Sequence, residues 1–254
     1  GGGLPNFGNY MTIARNVHIA DGFPYFEFLD MASTRAARAC CRGQGPSQHA
    51  ETFEFDALTA ATPTWLPRVA DGPVWPLLTL VIGSFFLTRE LEISNIKHED
   101  VSINLALNTV TVKLTVSKND PKARGCERTW GCTCTPTSAP HTCPVCAMKI
   151  ITADALIRHR DVDTRPMYIF MTADGHMPSK QLVIDSMQKV YDDLGRPPMK
   201  MSGHSMRRTG AQYLATSGLE VALIQLLGRW GSATIERYVA ETPLSRLTNK
   251  FREL

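Results

Sequence analysis

Long apolar runs are scarce in this chain of 254 residues. The longest, residues 74–87, is too short to span a bilayer and contains Pro76 and Ser84. No charged segment followed by an apolar one opens the chain, as a secretory leader would require. The chain also lacks internal repeats, low-complexity tracts and a Gly-rich phosphate loop, the usual cradle for a nucleotide. We therefore expect a soluble globular protein without a repeat architecture.

A large excess of charge of one sign is also missing. The formal net charge is +3 and the pI is about 8.5, so bulk charge permits nucleic-acid binding without requiring it. Positive charge is concentrated in residues 200–254, where eight Lys or Arg face four Glu. This segment is either a solvated helical face or a surface that follows phosphates.

Cysteine is present, but not in a pattern typical of secreted proteins. The chain has seven cysteines, an odd number, and most of them lie in residues 126–146. This clustering favours metal binding in a reducing compartment over a disulfide framework. The nucleus or the cytosol is the expected location, and Cys40 and Cys41, outside the cluster, are expected to pack in a helix.

Hydrophobic periodicity predicts an α+β protein that is mainly helical. Residues 74–87 read as a helix buried all round, with Arg89 and Glu92 expected at its end, and Ser179 is expected to cap a helix that reaches about residue 194. Residues 101–116 resemble a β-hairpin that turns at Asn108, and residues 42–54 read as a linker, with a boundary near residue 46. Further helices are predicted at residues 25–41, 55–62, 203–217, 219–227, 232–239 and 243–254.

Two residues near the start of one predicted helix carry the first chemical signal. In the stretch GHSMRRTG, His204 and Arg207 lie three positions apart, so both side chains share one helix face and can converge on one anion. A histidine can donate or shuttle a proton, while an arginine can fork onto two phosphate oxygens. Taken alone, this HxxR pattern also fits an ordinary surface pair.

The residues that follow give the pattern a context. LLGRW at residues 226–230 ends a short helix, and ERYV places Tyr238 on the next one. This order and spacing resemble the tyrosine recombinase (phage integrase) family, whose signature is HxxR, then LGH, then a nucleophilic tyrosine nine residues after that histidine. The upstream half of the signature is similar too: LTRELEISNIKHEDV contains Arg89 and Glu92, and the hairpin leads to Lys118.

The resemblance implies a fold and a reaction. The fold is the tyrosine recombinase catalytic domain, with a small antiparallel hairpin or sheet. Arg89 and Arg207 would clamp the scissile phosphate, Lys118 would protonate the leaving 5′-hydroxyl, His204 would assist proton transfer, and Tyr238 would form a 3′-phosphotyrosyl bond. Such chemistry conserves the phosphodiester energy and needs no cofactor. The implied partners are double-stranded DNA and further copies of the chain, as a dimer or tetramer.

One position departs from the family pattern. Arg229 stands where the family usually has His or Trp, and Trp230 follows it. An arginine can still donate to a phosphate oxygen, so Arg229 remains a candidate catalytic residue. The leading hypothesis is a recombinase of a mobile element. Because of Arg229, a protein that binds DNA without cleaving it is an alternative. A type IB topoisomerase-like enzyme is a third hypothesis.

The roles of two other residues, Lys118 and Glu92, depend on their neighbours. Lys118 competes with Lys113 and Lys122 for the hairpin role, because hairpin register cannot be read to one residue. Lys113 is expected to be a solvated strand residue. Glu92 is expected to be structural, holding a local arginine or a backbone amide.

The cysteine-rich segment reads as an insertion into the catalytic domain. Cys132 and Cys134 form a CxC pair and Cys143 and Cys146 a CxxC pair, a spacing that suits one structural Zn²⁺. Alternate ligands are His141 and Cys126, and the competing reading is a polar loop with adventitious cysteines. We predict a partial helical segment and linker at residues 1–46, similar to a core-binding domain, and a catalytic domain at residues 47–254 with an insertion at residues 126–146.

Overall fold

The computed structural model describes residues 7–41, 51–115, 125–158 and 166–230. The chain divides into two compact units, Gly1–His49 and Ala50–Leu254. Among the described residues, no helix is both long and apolar enough to cross a membrane.

The first unit contains two helices. Helix α1 covers Phe7–Ala20 and helix α2 covers Glu27–Cys41. An exposed ion pair, with Arg15 Nη1 at 3.2 Å from Asp30 Oδ1, links the two helices. Helix α2 agrees with the helix predicted at residues 25–41, whereas α1 was not predicted, because its apolar residues show little helical periodicity.

A fully buried helix forms the centre of the second unit. Helix α3 covers Pro76–Phe85, and every one of its residues is buried, which confirms the prediction for this segment. Pro76 stands at the first helical position, where its missing N–H leaves no bond unmade. A 3-10 helix precedes it at Phe55–Ala60. Apolar burial around α3 is the main source of stability in this unit.

The turn after α3 gives Arg89 its position. Leu87 is fully buried and adopts a left-handed conformation, with φ of 49°. The chain therefore leaves α3 and starts a new short helix, α4, at Glu90–Ser94, with Arg89 as its N-cap residue. We expected Arg89 and Glu92 at the end of the buried helix, and that expectation is wrong, because the backbone of Leu87 separates the two helices.

A small antiparallel sheet follows, in the order β1-β2-β3. Its strands are β1 at Val101–Asn104, β2 at Thr109–Leu114 and β3 at Cys126–Gly131. Alternate residues of β2 are buried, so one face of the sheet covers the core. Strand β3 is fastened to the end of α3, because the indole Nε1 of Trp130 donates to the Phe85 carbonyl at 3.0 Å.

Four more α-helices follow among the described residues of the second unit, three of them against α3 and the last against the helix before it. They are α5 at Pro144–Arg158, α6 at Lys180–Asp192, α7 at Ser205–Thr216 and α8 at Val221–Gly228. The side chain of Ser179 caps α6 as predicted, accepting from the Leu182 amide. Helix α7 crosses α3 closely, because Gly210 has no Cβ to meet the Ser84 carbonyl. The helices predicted at residues 232–239 and 243–254 lie outside the described residues.

The cysteine-rich segment is more regular than its sequence indicates. The predicted insertion at residues 126–146 includes the whole of β3 and the first turn of α5. The connection between those two elements, residues 132–143, contains a short 3-10 helix at Pro140–Thr142 and is otherwise irregular. Together with the dominant helices, the three-stranded sheet confirms the predicted α+β class.

Candidate active site

Glu92, in helix α4, is the centre of the candidate site. Its side chain is 4% exposed. One carboxylate oxygen accepts from the backbone amide of Arg89 at 2.9 Å, and the other accepts from Arg89 Nη1 at 2.9 Å. Glu92 thus holds a local arginine and a backbone amide, as expected from the sequence, and in doing so it caps its own helix.

Two more arginines reach the same carboxylate from distant parts of the chain. Arg229 Nη2 lies 2.7 Å from Glu92 Oε2, and Arg207 Nη1 lies 3.6 Å from it. We call Arg89, Arg207 and Arg229, with Glu92 between them, the guanidinium cluster. Three guanidiniums share one carboxylate, so the cluster keeps a net positive charge and attracts an anion.

Arg207 occupies the deepest position in the cluster. Its side chain is 1% exposed, and its guanidinium carbon lies 4.9 Å from the centre of the Trp230 ring. That distance is within the range of a cation–π contact. Gly228 leaves room for Trp230, because a Cβ at that position would collide with the indole ring. Trp230 therefore packs against the guanidinium of Arg207.

The backbone of Arg229 is as unusual as its position in the signature. Arg229 follows α8 with φ of 57° and ψ of 41°, in the left-handed region. The Arg229 amide donates to Leu226 O at 3.3 Å and the Trp230 amide to Gln225 O at 3.2 Å, which is a Schellman ending for α8. Glycine is the usual residue at this point, and an arginine there costs about 1 kcal/mol. Arg229 therefore occupies a strained backbone position while its guanidinium reaches Glu92.

His204 lies at the N-terminus of α7, and its side chain remains exposed. Desolvation by the surrounding protein and the charge of Arg89 lower the pKa of His204 below its ordinary value of 6.5, and the charge of Arg207 adds to this effect. The carboxylates of Glu90 and Glu92 oppose the shift without reversing it. The imidazole is therefore neutral near neutral pH and is able to accept a proton.

The lowered pKa of His204 predicts a pH dependence of stability. The unfolded chain binds a proton at His204 more readily than the folded protein does, so acid favours unfolding. We expect the free energy of unfolding to fall as the pH drops below 6.5, until it passes the pKa of the folded state. Urea unfolding at about pH 7.5 and about pH 5 should show a smaller loss in His204→Gln than in the unmodified chain. Equal losses in the two proteins would contradict the assignment.

The structure does not describe all of the other predicted catalytic residues. Tyr238, Lys118 and Lys122 lie outside the described residues. Lys113 is exposed on β2, as expected for a solvated strand residue. Of the six residues proposed from the signature, the structure thus brings the three arginines together and places His204 where two of them shift its pKa.

A second cluster lies between β3 and α5. The Sγ atoms of Cys132, Cys134, Cys143 and Cys146 all lie within 4.8 Å of one another. Burial raises the pKa of Cys143, but backbone amides of Cys146 and Thr133 outweigh it and lower that pKa to about 6. This group of four is the set of ligands favoured by the sequence.

The two alternate ligands are engaged elsewhere. His141 Nε2 lies 3.0 Å from the Leu58 carbonyl oxygen. Cys126 lies on β3, and its Sγ is 3.9 Å from Arg229 Nη1. Neither belongs to the group of four thiols.

Comparison with known proteins gives likeness in structure only. No family model and no curated protein matches the chain. The site-specific recombinase XerH bound to a palindromic difH substrate is 15% identical, with a TM-score of 0.55 over 77% of this chain and 49% of that one. The chain thus spans about half the length of XerH.

Two further structures match over nearly the whole chain. XerA recombinase is 15% identical, with a TM-score of 0.56 over 98% of this chain and 83% of its own. The Tn1549 transposon integrase, in complex with a circular intermediate DNA, is 12% identical, with a TM-score of 0.50 over 99% and 86%. The chain therefore has the tyrosine recombinase fold, with the mainly helical catalytic domain and small antiparallel sheet that the signature predicts.

Proposed function

We propose that this chain cuts and rejoins DNA through a 3′-phosphotyrosyl intermediate, in site-specific recombination or integration of a mobile element. The observation that carries the proposal is the guanidinium cluster. Arg89, Arg207 and Arg229 come from three separate segments and meet at one buried carboxylate. A net positive cluster next to a neutral histidine suits a phosphodiester whose negative charge grows in the transition state.

Each residue has a role in the proposed reaction. The phenol oxygen of Tyr238 attacks the scissile phosphorus while the bond from phosphorus to the 5′-oxygen breaks. Arg89 and Arg207 hold the two non-bridging oxygens, neutral His204 accepts the phenol proton, and Lys118 protonates the leaving 5′-oxygen. In the reverse direction a 5′-hydroxyl attacks the phosphotyrosine, so rejoining requires no external energy source.

Arg229 stands at the position where the family usually has His or Trp, and in the proposed site it adds a third positive charge to those of Arg89 and Arg207. Its ion pair with Glu92 fixes the guanidinium, and its Nη1 approaches Cys126 on β3. Because Glu92 faces three guanidiniums, it offsets only part of their charge, and the remainder is available to a phosphate oxygen. We infer that Arg229 donates a hydrogen bond to the phosphate in the transition state.

Double-stranded DNA is the proposed substrate, and a dimer or tetramer is the proposed active form. The XerH and Tn1549 integrase structures with this fold contain DNA, and the second is the integrase of a transposon. Strand exchange joins ends from two duplexes and needs at least two active sites, which a multimer on DNA supplies.

The test is the recovery of covalent protein–DNA adducts. Cells that express the full chain are lysed in denaturant, DNA is isolated, and the peptide that carries a nucleotide remnant is identified by mass spectrometry. We expect the remnant on Tyr238, and sequencing of the attached DNA identifies the cleavage sites. A soluble, expressed chain that forms no adduct at any site would overturn the proposal.

Arg229 also favours a second candidate, a DNA-binding protein that no longer cleaves. Arg229→Gly separates the two readings, with Asp71→Gly as control, because Asp71 is an exposed residue with a similar φ of 55°. Glycine relieves backbone strain at both positions, about 1 kcal/mol for the arginine and less for the aspartate, which tolerates the left-handed region better. If the chain is an enzyme, Arg229→Gly should slow cleavage roughly 10²-fold under conditions where urea unfolding shows the variant to be folded, and Asp71→Gly should leave cleavage unchanged. Tight DNA binding without cleavage in the unmodified chain would support the binding module instead.

A further inference from the structure

We propose that Cys132, Cys134, Cys143 and Cys146 bind one structural Zn²⁺ that fastens strand β3 to helix α5. The four Sγ atoms lie within 4.8 Å of one another, and two pairs are closer. Cys134 Sγ is 3.5 Å from Cys146 Sγ, and Cys143 Sγ is 3.6 Å from Cys132 Sγ. A Zn–S bond of about 2.3 Å in a tetrahedron separates neighbouring sulfurs by about 3.8 Å, close to both distances.

The local backbone favours thiolate ligands. The Thr133 amide lies 3.3 Å from Cys143 Sγ and donates to it, a contact that orients a metal-bound sulfur and stabilises its negative charge. Pro144 begins α5, so Cys143 and Cys146 lie at the positive end of that helix. Soft sulfur ligands in a set of four select zinc over the hard cations that prefer oxygen.

The loop between the two cysteine pairs is held by hydrogen bonds, including one from its His141 to the Leu58 carbonyl, and by little apolar burial. None of residues 133–142 is buried, and the segment is rich in Thr, Ser and Pro. Burial of apolar side chains therefore contributes little to its fixed conformation. Cys143, at 2% exposed, is the point where the loop enters the core. A metal that joins both ends of the loop would add stabilisation to that of these hydrogen bonds.

Strand β3 connects this metal site with the guanidinium cluster. Arg128 Nη2 donates to the Leu226 carbonyl of α8 at 2.7 Å, and Cys126 Sγ lies 3.9 Å from Arg229 Nη1. The metal holds the far end of the same strand, where Cys132 follows β3. Loss of the metal is therefore expected to loosen β3 and, through it, the backbone around Arg229.

Metal content and cobalt spectroscopy test the site without reference to DNA cleavage. We expect one zinc per chain after purification without chelators. Replacement by Co²⁺ should give the intense thiolate-to-metal charge-transfer bands and visible bands of tetrahedral cobalt. Cys134→Ser, at an exposed ligand position, should lose zinc and alter these bands, and Cys134→His should recover zinc binding because imidazole is also a zinc ligand. Cys40→Ser, outside the cluster, is the control and should change neither.

Other results would overturn the proposal. A folded chain without zinc, which takes up no Co²⁺ after reduction, would exclude the site. If these four cysteines resist thiol reagents in unreduced protein and form two disulfides, the cluster is a pair of disulfides and not a metal site. Unchanged zinc content in a folded Cys134→Ser variant would exclude that ligand. Because none of these measurements involves DNA, failure here is distinct from failure of the proposed enzymatic function.

Discussion

Tyr238→Phe is expected to abolish covalent attachment to DNA while leaving DNA binding intact. The substitution removes one hydroxyl, the proposed nucleophile, and keeps the aromatic ring. A nicked duplex built from a recovered cleavage site traps the intermediate, because the short released strand diffuses away before rejoining. The adduct, seen as a band of reduced mobility in a denaturing gel, should fall to background in Tyr238→Phe.

The matched control is Tyr10→Phe. Tyr10 is 56% exposed in the first unit, so its loss should change neither binding nor adduct yield. An adduct that persists at normal yield in Tyr238→Phe would show that another residue attacks the phosphate. In that case the role assigned to the C-terminal half of the signature would have to be withdrawn.

Arg207→Lys is expected to slow single-turnover cleavage by roughly 10²–10³-fold. Lysine keeps the positive charge close to Glu92 but loses the planar fork that binds two oxygens and the flat face that stacks on Trp230. Growth of negative charge on the phosphate would then be stabilised at one point instead of two. The measurement is the rate of adduct formation on the nicked duplex at saturating protein.

Arg208→Lys separates catalysis from folding. Arg208 is the next residue of α7 and is 4% exposed, so it is similarly buried, but it is not among the three arginines around Glu92. We expect both variants to lose comparable stability in urea unfolding, and only Arg207→Lys to lose cleavage by the stated factor. Equal cleavage losses in the two variants would show that Arg207 acts through packing alone.

Patterns within one element could be predicted from the sequence, because their physical cause is local. The apolar stretch that became α3 has no polar face, and this alone indicates burial on all sides. Ser179 before α6 is a favoured capping residue. The spacing of His204 and Arg207 places both on one face of α7, wherever that helix packs.

Contacts between distant segments could not be predicted in the same way. Glu92 and Arg229 are 137 residues apart, and no local pattern indicates that they meet. The left-handed backbones of Leu87 and Arg229 are equally hidden, because neither residue type favours that conformation. These two backbones decide where Arg89 starts a helix and where the guanidinium of Arg229 points.

Strand β3 and helix α5 are not predicted from the sequence, because the cysteines of residues 126–146 are typical of an insertion. Alternate residues of β3 are only half-buried, so its two-residue period is weakly marked by hydrophobicity. For α5, the proline directly after Cys143 was the available signal, because the residues that follow show little helical periodicity.

The wide separation of the arginines around Glu92 also bears on biosynthesis. A chain emerging from the ribosome exposes Arg89 and Glu92 first, and these two can pair at once because they are three residues apart. Arg207 and Arg229 are synthesised more than a hundred residues later. A partly made chain therefore lacks the assembled charge that the proposed chemistry requires.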